Sequence, residues 1–235
     1  MKNVVVCKNC NSENPFYELI CRNCRSFLRE KVFNIDLWKT ISQLIESPSA
    51  AFRNIIFSEH KNYLPLLLFL ISGKLFLNGI FLLIFFYEWN ARLTGIISSY
   101  LIILVLIIVL FFFFVWLFGG VSKIFGITTR FKDNLSILIY SFLPYTFGLL
   151  ILFLLELIIF GETLFYFDPS PFLIKETIAY TFLITEILLI LWSFFLTFTA
   201  FNVQSGNIFY SLIFSLLIHT SVYITIYFSS AGIYL

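Results

Sequence analysis

The stretch LIILVLIIVLFFFFVWLF, residues 101–118, contains no charged side chain. A helix needs about 20 apolar residues, at about 1.5 Å each, to cross the hydrocarbon core of a bilayer. A run of this length and composition therefore indicates a transmembrane helix. The rest of the chain agrees, because 60% of its 235 residues are hydrophobic and 12% are charged, against about 45–50% and about 25% in soluble domains. The sequence predicts an integral membrane protein in contact with the lipid bilayer.

Short polar breaks divide the chain from Tyr63 onward into five apolar segments. The predicted spans are residues 63–87, 96–118, 135–160, 177–201 and 208–230. Because unpaired sheet edges are not tolerated in lipid, these segments predict an all-α membrane domain over residues 63–235, a bundle of about five transmembrane helices. The N-terminal residues lack an apolar signal segment, so the first span is expected to direct insertion.

Lysine and arginine are distributed unevenly around these spans. Nine precede the first span and three lie between the second and third, whereas Arg92 and Lys175 lie on the opposite side. Since basic residues accumulate on the cytoplasmic side, the N-terminus is predicted to be cytoplasmic. Five spans then place the C-terminus outside, and a re-entrant or interfacial last segment would return it to the cytoplasm. On the outer loop, Tyr166, Asp168 and Pro169 are typical of a turn.

All four cysteines lie in two C-x-x-C pairs, Cys7 with Cys10 and Cys21 with Cys24. Each pair can aim two thiolates at one point, and four thiolates in a tetrahedron are a common structural site for zinc. Zinc binding is worth about 10–16 kcal/mol to such peptides. That energy would allow residues 1–31 to fold as a zinc-ribbon module around one structural Zn²⁺.

Two other uses of the cysteines are less favoured. A redox pair normally belongs to a thioredoxin-like domain, which residues 1–31 are too short to build. Two disulfides would need an oxidising compartment, against the predicted cytoplasmic orientation. A catalytic zinc is also not favoured, since four thiolates leave no position open for water.

Residues 34–62 interleave charged and apolar residues in a helical pattern. Asp36 is the predicted N-cap of a first helix, and Ser47 with Pro48 closes it and starts a second. The two apolar faces consist of Leu37, Ile41, Leu44 and Ile45, with Trp38 beside them, and of Ala51, Phe52, Ile55 and Ile56. Such linker helices either lie in the membrane interface or pack on the cytoplasmic ends of the bundle, and the two arrangements are compatible.

Short motifs occur along the linker and the first half of the bundle. They are Asp36-Leu37-Trp38, Ser47-Pro48, Ala51-Phe52, Phe118-Gly119-Gly120, Phe131-Lys132 and Tyr140-Ser-Phe-Leu-Pro144. In these motifs the chain resembles the Yip family, membrane proteins named for their interaction with Ypt/Rab GTPases, over most of residues 36–200. The resemblance implies a five-span bundle, a cytoplasmic N-terminus, a second span ending at the Gly-Gly pair, and trafficking or membrane-shaping roles.

A zinc ribbon ahead of such a domain is similar to the prokaryotic branch of the family, which implies a prokaryotic plasma membrane. A prokaryotic host would lack the usual Rab partner. No GTPase-contact residue is carried over to this chain.

Four ionisable residues fall inside the predicted spans, Lys74, Glu156, Glu186 and His219. Such residues are costly in lipid and mark functional hypotheses. The favoured interpretation is a Lys74–Glu186 pair that locks the first span against the fourth. A proton or ion relay through Lys74, Glu186 and His219 is the sharper alternative. Snorkelling to the interface is the third, and it suits Glu156 best.

No Gly-rich phosphate loop, H-E-x-x-H or G-x-S-x-G motif occurs, so an enzyme is not expected. The predicted function is a non-enzymatic membrane scaffold with an organising or trafficking-like role, whose zinc ribbon binds a cytoplasmic protein. The alternative is a small transporter or channel using the intramembrane polar residues. A nucleic-acid-binding ribbon is not favoured, because Glu13, Glu18 and Glu30 lie among its basic residues. Oligomerisation is left open.

Overall fold

The computed structural model describes residues 4–86, 96–165 and 169–234. Arg92, Tyr166 and Asp168, which the sequence interpretation used, lie outside these ranges. Two small sheets occur near the N-terminus: β1 (Val4–Val6) pairs antiparallel with β2 (Glu13–Pro15), and β3 (Val32–Asn34) pairs parallel with β4 (Ser58–His60).

Helices make up most of the described chain beyond these strands. The α-helices are α1 (Leu37–Glu46), α2 (Pro48–Phe57), α3 (Leu64–Phe86), α4 (Ile96–Ile124), α5 (Phe131–Ser141), α6 (Leu143–Phe147), α7 (Phe153–Phe160), α8 (Pro171–Ile174), α9 (Glu176–Ser205) and α10 (Ile208–Tyr234). A π-helix, Gly148–Leu152, joins α6 to α7, and a 3-10 helix, Gly161–Phe165, follows α7.

Five of the described helical segments are long and apolar enough to cross a membrane. They are Leu64–Leu82, Ile97–Ile124, Leu143–Phe165, Glu176–Ser205 and Ile208–Ser229. The predicted all-α fold with about five transmembrane helices is therefore confirmed, and the chain is a multi-pass membrane protein.

The second span does not end at the Gly-Gly pair, so the boundary predicted at residue 118 is wrong. Helix α4 continues through Gly119 and Gly120 to Ile124. A glycine inside a helix lowers its stability by only about 1 kcal/mol relative to alanine. The long apolar helix around Gly119 and Gly120 offsets this cost. The chain leaves the helix at Gly126, whose φ is +71°, and the N–H of Ile127 donates to a carbonyl of the last turn at 2.9 Å. A left-handed glycine is a common helix end.

The third predicted span, residues 135–160, is wrong at its start. Helix α5 ends at Ser141, and a new helix begins at Leu143 with Pro144 in its first turn. Proline has no N–H to donate and clashes with the preceding turn, but it suits a first turn. The candidate span accordingly begins at Leu143.

The linker helices follow most of their predicted signals. The Asp36 side chain accepts a hydrogen bond from the N–H of Lys39 at 3.2 Å, as an N-cap does. Ser47 stands in the N-cap position of α2, but its side chain makes no capping hydrogen bond. The predicted apolar face of α2 is buried throughout, whereas α1 buries Leu44 and leaves Trp38 80% exposed.

The chain divides into two compact units. The first comprises residues 1–64, 111–141 and 196–216, and it contains the cysteine segment and both linker helices. Its described aromatic core includes Phe118, whose ring centroid lies 4.4 Å from Phe201 and 5.1 Å from Tyr210. The Tyr210 hydroxyl donates to the Phe118 carbonyl at 2.9 Å.

The second unit comprises residues 65–110, 142–195 and 217–235. An apolar cluster in it joins Phe160, Leu164 and Ala179. Polar side chains are buried in the same unit, including Lys74, Asn78, Glu156 and His219. These residues include three of the four that the sequence interpretation singled out inside the spans.

Candidate metal centre and intramembrane ion pair

The two cysteine pairs lie in six-residue turns of the same construction, residues 7–12 and 21–26. In each turn the N–H of the first cysteine donates to the carbonyl of the serine at the sixth position, at 3.0 Å and 2.9 Å. The residue before that serine, Asn11 in one turn and Arg25 in the other, has a positive φ of 56° and 60°. This repeated backbone aims both thiols of each pair to one side.

The four sulfur atoms converge. All four Sγ atoms of Cys7, Cys10, Cys21 and Cys24 lie within 4.8 Å of one another. The Cys7–Cys24 and Cys10–Cys21 sulfur distances are both 3.6 Å. In a tetrahedral site with zinc–sulfur bonds of about 2.3 Å, neighbouring sulfurs lie about 3.8 Å apart. The arrangement could hold a metal ion of this kind.

A serine hydroxyl bridges the two turns on each side of the site. Ser12 Oγ lies 3.0 Å from the sulfur of Cys10 and 3.1 Å from that of Cys21. Ser26 Oγ lies 3.1 Å from the sulfurs of both Cys24 and Cys7. Sequence reasoning missed these serines, although both turns share the pattern C-x-N-C-x-S.

Hydrogen bonds favour the thiolate form of Cys21 and Cys24, whereas the pKa of Cys10 is raised. The backbone N–H of Cys24 and the Ser12 hydroxyl lower the pKa of Cys21 to about 5. The hydroxyl and backbone of Ser26 lower the pKa of Cys24 to about 7. Thiolates are the form that binds metals, so the chemistry of the donor set fits zinc.

Aromatic and cationic side chains attach the cysteine segment to the rest of the first unit. The rings of Phe16 and Phe57 lie 5.0 Å apart, and the Arg29 guanidinium lies 4.3 Å from the Phe57 centroid. The Arg130 guanidinium lies 4.6 Å from the ring of Tyr17. Contacts with α2 and with the turn before α5 therefore hold the segment in a defined position.

A second feature of the first unit is a buried ion group on Asp133, here named the Asp133 cluster: Lys61, Arg130 and Asp133. Lys61 Nζ lies 3.0 Å and Arg130 Nε 2.6 Å from the two carboxylate oxygens, and the Lys61 and Asp133 side chains are nearly inaccessible. Lys61 Nζ also donates to the Ile56 carbonyl at 3.0 Å. Desolvation lowers the pKa of Lys61, and the charge of Asp133 opposes that shift. Sequence reasoning did not single out this group.

In the second unit the Lys74 ammonium contacts the Glu186 carboxylate. The pair that the sequence interpretation favoured is therefore present in the structure. Lys74 is fully buried, and its stem passes Gly148. A Cβ added to that glycine would lie 3.0 Å from Lys74 Cε and 3.1 Å from Leu189 Cδ1. Glycine at this position makes room for the lysine.

Glu156 is also buried, at 5% exposure. The protein encloses this side chain, which does not favour snorkelling of Glu156 to an interface. His219 has contacts of its own: its Nε2 lies 3.3 Å from Ser193 Oγ, and its ring stacks on Phe142 at 5.0 Å. A relay through His219 remains a hypothesis that these contacts do not test.

Comparison with known protein families gives a match over most of the chain. A family model described as Yip1 domain matches residues 42–231, which include all five candidate spans and begin after the cysteine turns. No curated protein and no solved structure matches the chain.

Proposed function

The chain belongs to the Yip1 domain family, and we propose that it is a non-enzymatic membrane scaffold whose N-terminal zinc ribbon docks a cytoplasmic protein. The proposed division is a zinc-ribbon module of residues 1–31, linker helices within residues 34–62 and a five-span domain of residues 63–235. The observation that carries this proposal is a set of exposed apolar side chains on a module that is attached to the rest of the first unit.

Four apolar side chains of the module are exposed. Phe27 is 74% exposed and Val6 54% exposed, and Ile20 pairs with Phe27 in an isolated bridge. Exposed apolar side chains on a small module are candidates for an interaction site. We name this docking surface by its members Val4, Val6, Ile20 and Phe27.

The attachment of the module matters for a scaffold. Phe16, Tyr17 and Arg29 make the contacts to Phe57 and Arg130 described above. All three lie next to the cysteine turns in sequence, so the metal would order them together with the ligands. A bound partner would therefore be held in a defined orientation relative to the first unit.

Helix α1 is the proposed membrane-interface element. Trp38 and Ile45 lie on one face at helical spacing with Ile41 between them, and both are exposed. Lys39 adjoins this face and is exposed as well. An apolar face with an aromatic residue and a flanking cation suits the boundary between headgroups and acyl chains. The face of α2, by contrast, is already buried in the first unit.

A metal assay tests the module. The purified full chain should carry one zinc per chain, and Cys21→Ser should lose it while still inserting into the membrane. The matched control is Ser49→Ala, an exposed serine outside the module, which should keep the metal. Iron with visible absorbance, or no metal in freshly reduced protein, would contradict the zinc proposal.

Thiol labelling tests the orientation, which we propose is cytoplasmic at the N-terminus in a prokaryotic plasma membrane. Ser170→Cys should react with an impermeant reagent on intact cells. Thr128→Cys, at an exposed position before α5, should react only after permeabilisation. Equal labelling of both variants on intact cells would contradict the five-span orientation.

Cross-linking in native membranes tests the docking role. Proteins recovered with the wild type should be lost from Phe27→Asp and kept by Ser49→Asp, which adds the same charge at an exposed site away from the docking surface. Lys74→Met should also keep them if the spans only anchor the scaffold. Recovery of the same proteins with Phe27→Asp would show that the docking surface does not bind them.

A further inference from the structure

Glu156 is a buried acid of the second unit that the proposed scaffold does not use. It lies in α7 at 5% exposure, and its Oε2 atom has no hydrogen-bond partner among the described residues. Buried polar atoms normally have partners, and a buried carboxylate without a counter-charge is among the most costly groups in a protein. The unpaired Oε2 atom of Glu156 therefore indicates that this carboxyl group binds a species from outside the protein.

Among the described residues, the charged groups that act on Glu156 electrostatically are Lys74 of α3 and Glu186 of α9. The Lys74 ammonium contacts Glu186, so one cation serves two carboxyl groups. Tyr145 of α6 and Tyr223 of α10 also interact electrostatically with Glu186. A tyrosine hydroxyl carries no positive charge, so neither residue is a counter-ion for the two acids. With both acids ionised, the group would hold one uncompensated negative charge inside the membrane.

We propose that Glu156 is a proton-binding site inside the membrane, and that one proton taken from water neutralises the group formed by Lys74, Glu156 and Glu186. The proton is held on the Glu156 carboxyl as an O–H bond and returns to water when that bond breaks, so no other reactant is involved. When the proton leaves, the Glu156 carboxylate and the Lys74–Glu186 pair together carry one negative charge, which the next proton from water neutralises.

The backbone beside this group is irregular. The π-helix Gly148–Leu152 lies between α6 and α7, and its first residue is the glycine that leaves room for the Lys74 stem. Single π-helical turns inside helices frequently occur at functional sites. The π-helix therefore belongs to the same helical segment as Glu156 and ends four residues before it.

Infrared difference spectroscopy on the full chain in lipid nanodiscs tests the site. In acidic buffer the wild type should show the carbonyl stretch of a protonated buried carboxyl, which shifts in D₂O and disappears in alkaline buffer. Glu156→Gln should lack this band, and it should fold normally because glutamine is isosteric with the protonated acid. The matched control is Glu162→Gln, an exposed acid just after α7, which should keep the band.

A second variant keeps the proposal testable if Glu156→Gln is unstable. Lys74→Met removes the one cation, so both carboxyls should then be protonated and the band should double in area. No protonated carboxyl in the wild type, an unchanged band in Glu156→Gln, or an unchanged area in Lys74→Met would each overturn the proposal.

Sodium provides the remaining comparison, because a carboxylate can also bind a small cation. Replacing choline chloride by sodium chloride at constant acidic pH should leave the band unchanged if the ligand is the proton. Loss of the band on adding sodium would show that a metal cation occupies the site, and would overturn the assignment to a proton.

Discussion

Each of the two units contains a group of three ionisable side chains, and the two groups have opposite ratios of cations to acids. In the Asp133 cluster, one carboxylate faces two cations, Lys61 and Arg130. In the second unit, one cation, Lys74, faces two carboxyl groups. The surplus charge of the Asp133 cluster is on Arg130, whose side chain is 46% exposed. The surplus carboxyl of the second unit, Glu156, is enclosed.

This difference suggests that the Asp133 cluster is structural and that the group around Glu156 binds a ligand. The donors of Lys61 are directed at the carboxylate and at the Ile56 carbonyl, and water can solvate the surplus charge of Arg130. A buried ion group of this kind contributes through complete pairing. In the second unit, a carboxyl oxygen is left over where no described donor meets it. For the fully paired Asp133 cluster we therefore expect substitution to lower stability. For the incompletely paired Glu156 we expect a bound proton.

The largest expected effect is at the centre of the fully paired group. Asp133→Asn leaves the buried Lys61 without its counter-charge, and breaking a buried pair costs about 3–5 kcal/mol. The free energy of unfolding, measured by denaturant titration in detergent, should fall by about that amount. Glu46→Gln changes an exposed acid of the same unit and should have little effect. Equal small losses for both variants would show that Asp133 contributes no more than a surface acid.

A double-mutant cycle on Lys74 and Glu186 should give the next largest effect. An ionised residue at the centre of a span costs about 2.5–3.5 kcal/mol when it is unpaired, so Lys74→Met and Glu186→Gln should each destabilise the protein. The double variant should lose less than the sum, because it leaves no charge of the pair unmatched. Thermal unfolding in detergent measures the four proteins. Additive losses would mean that the two residues are energetically independent.

A smaller effect is expected at Gly148. The added Cβ of Gly148→Ala would press on the Lys74 stem and on Leu189, and overpacking typically costs about 1–3 kcal/mol. The control is Gly120→Ala, where nothing lies within 4 Å of the added Cβ and the gain in helix propensity is about 0.5–1 kcal/mol. Thermal unfolding should therefore move in opposite directions for the two alanines. A shift in the same direction would show that the Lys74 stem can move aside.

The smallest effect belongs to an exposed pair of the first unit, Lys31 with Glu59, whose charged atoms lie 3.2 Å apart. Both side chains are about two-fifths exposed, and such pairs contribute about 0–1 kcal/mol. Glu59→Gln should accordingly change the free energy of unfolding by less than Asp133→Asn, and the small change should vanish at high salt. A loss as large as that of Asp133→Asn would break the contrast between buried and exposed charges.

Local signals were enough to predict much of this protein. Five apolar segments of sufficient length appear as five candidate spans, because the thickness of the hydrocarbon core sets the length that each must have. The N-cap role of Asp36 and the buried face of α2 follow from spacing within one or two helical turns. The convergence of the four cysteines follows from two short turns of identical construction, whose shared serines were also visible in the sequence.

The tertiary structure decided what no local pattern contains. Whether Gly119 and Pro144 interrupt a helix depends on the packing around them: α4 passes through Gly119, and a helix begins at Leu143. Lys74 and Glu186 are 112 residues apart in sequence, and Lys61 and Asp133 come from different segments of the first unit. The sequence determined how many segments are long and apolar enough to cross the membrane, because hydrophobicity and length act within one segment. Only the fold decided which charges meet. Coulomb energy depends on the distance between two charges and desolvation on their burial, and both are set by the packing of segments that are far apart in the sequence.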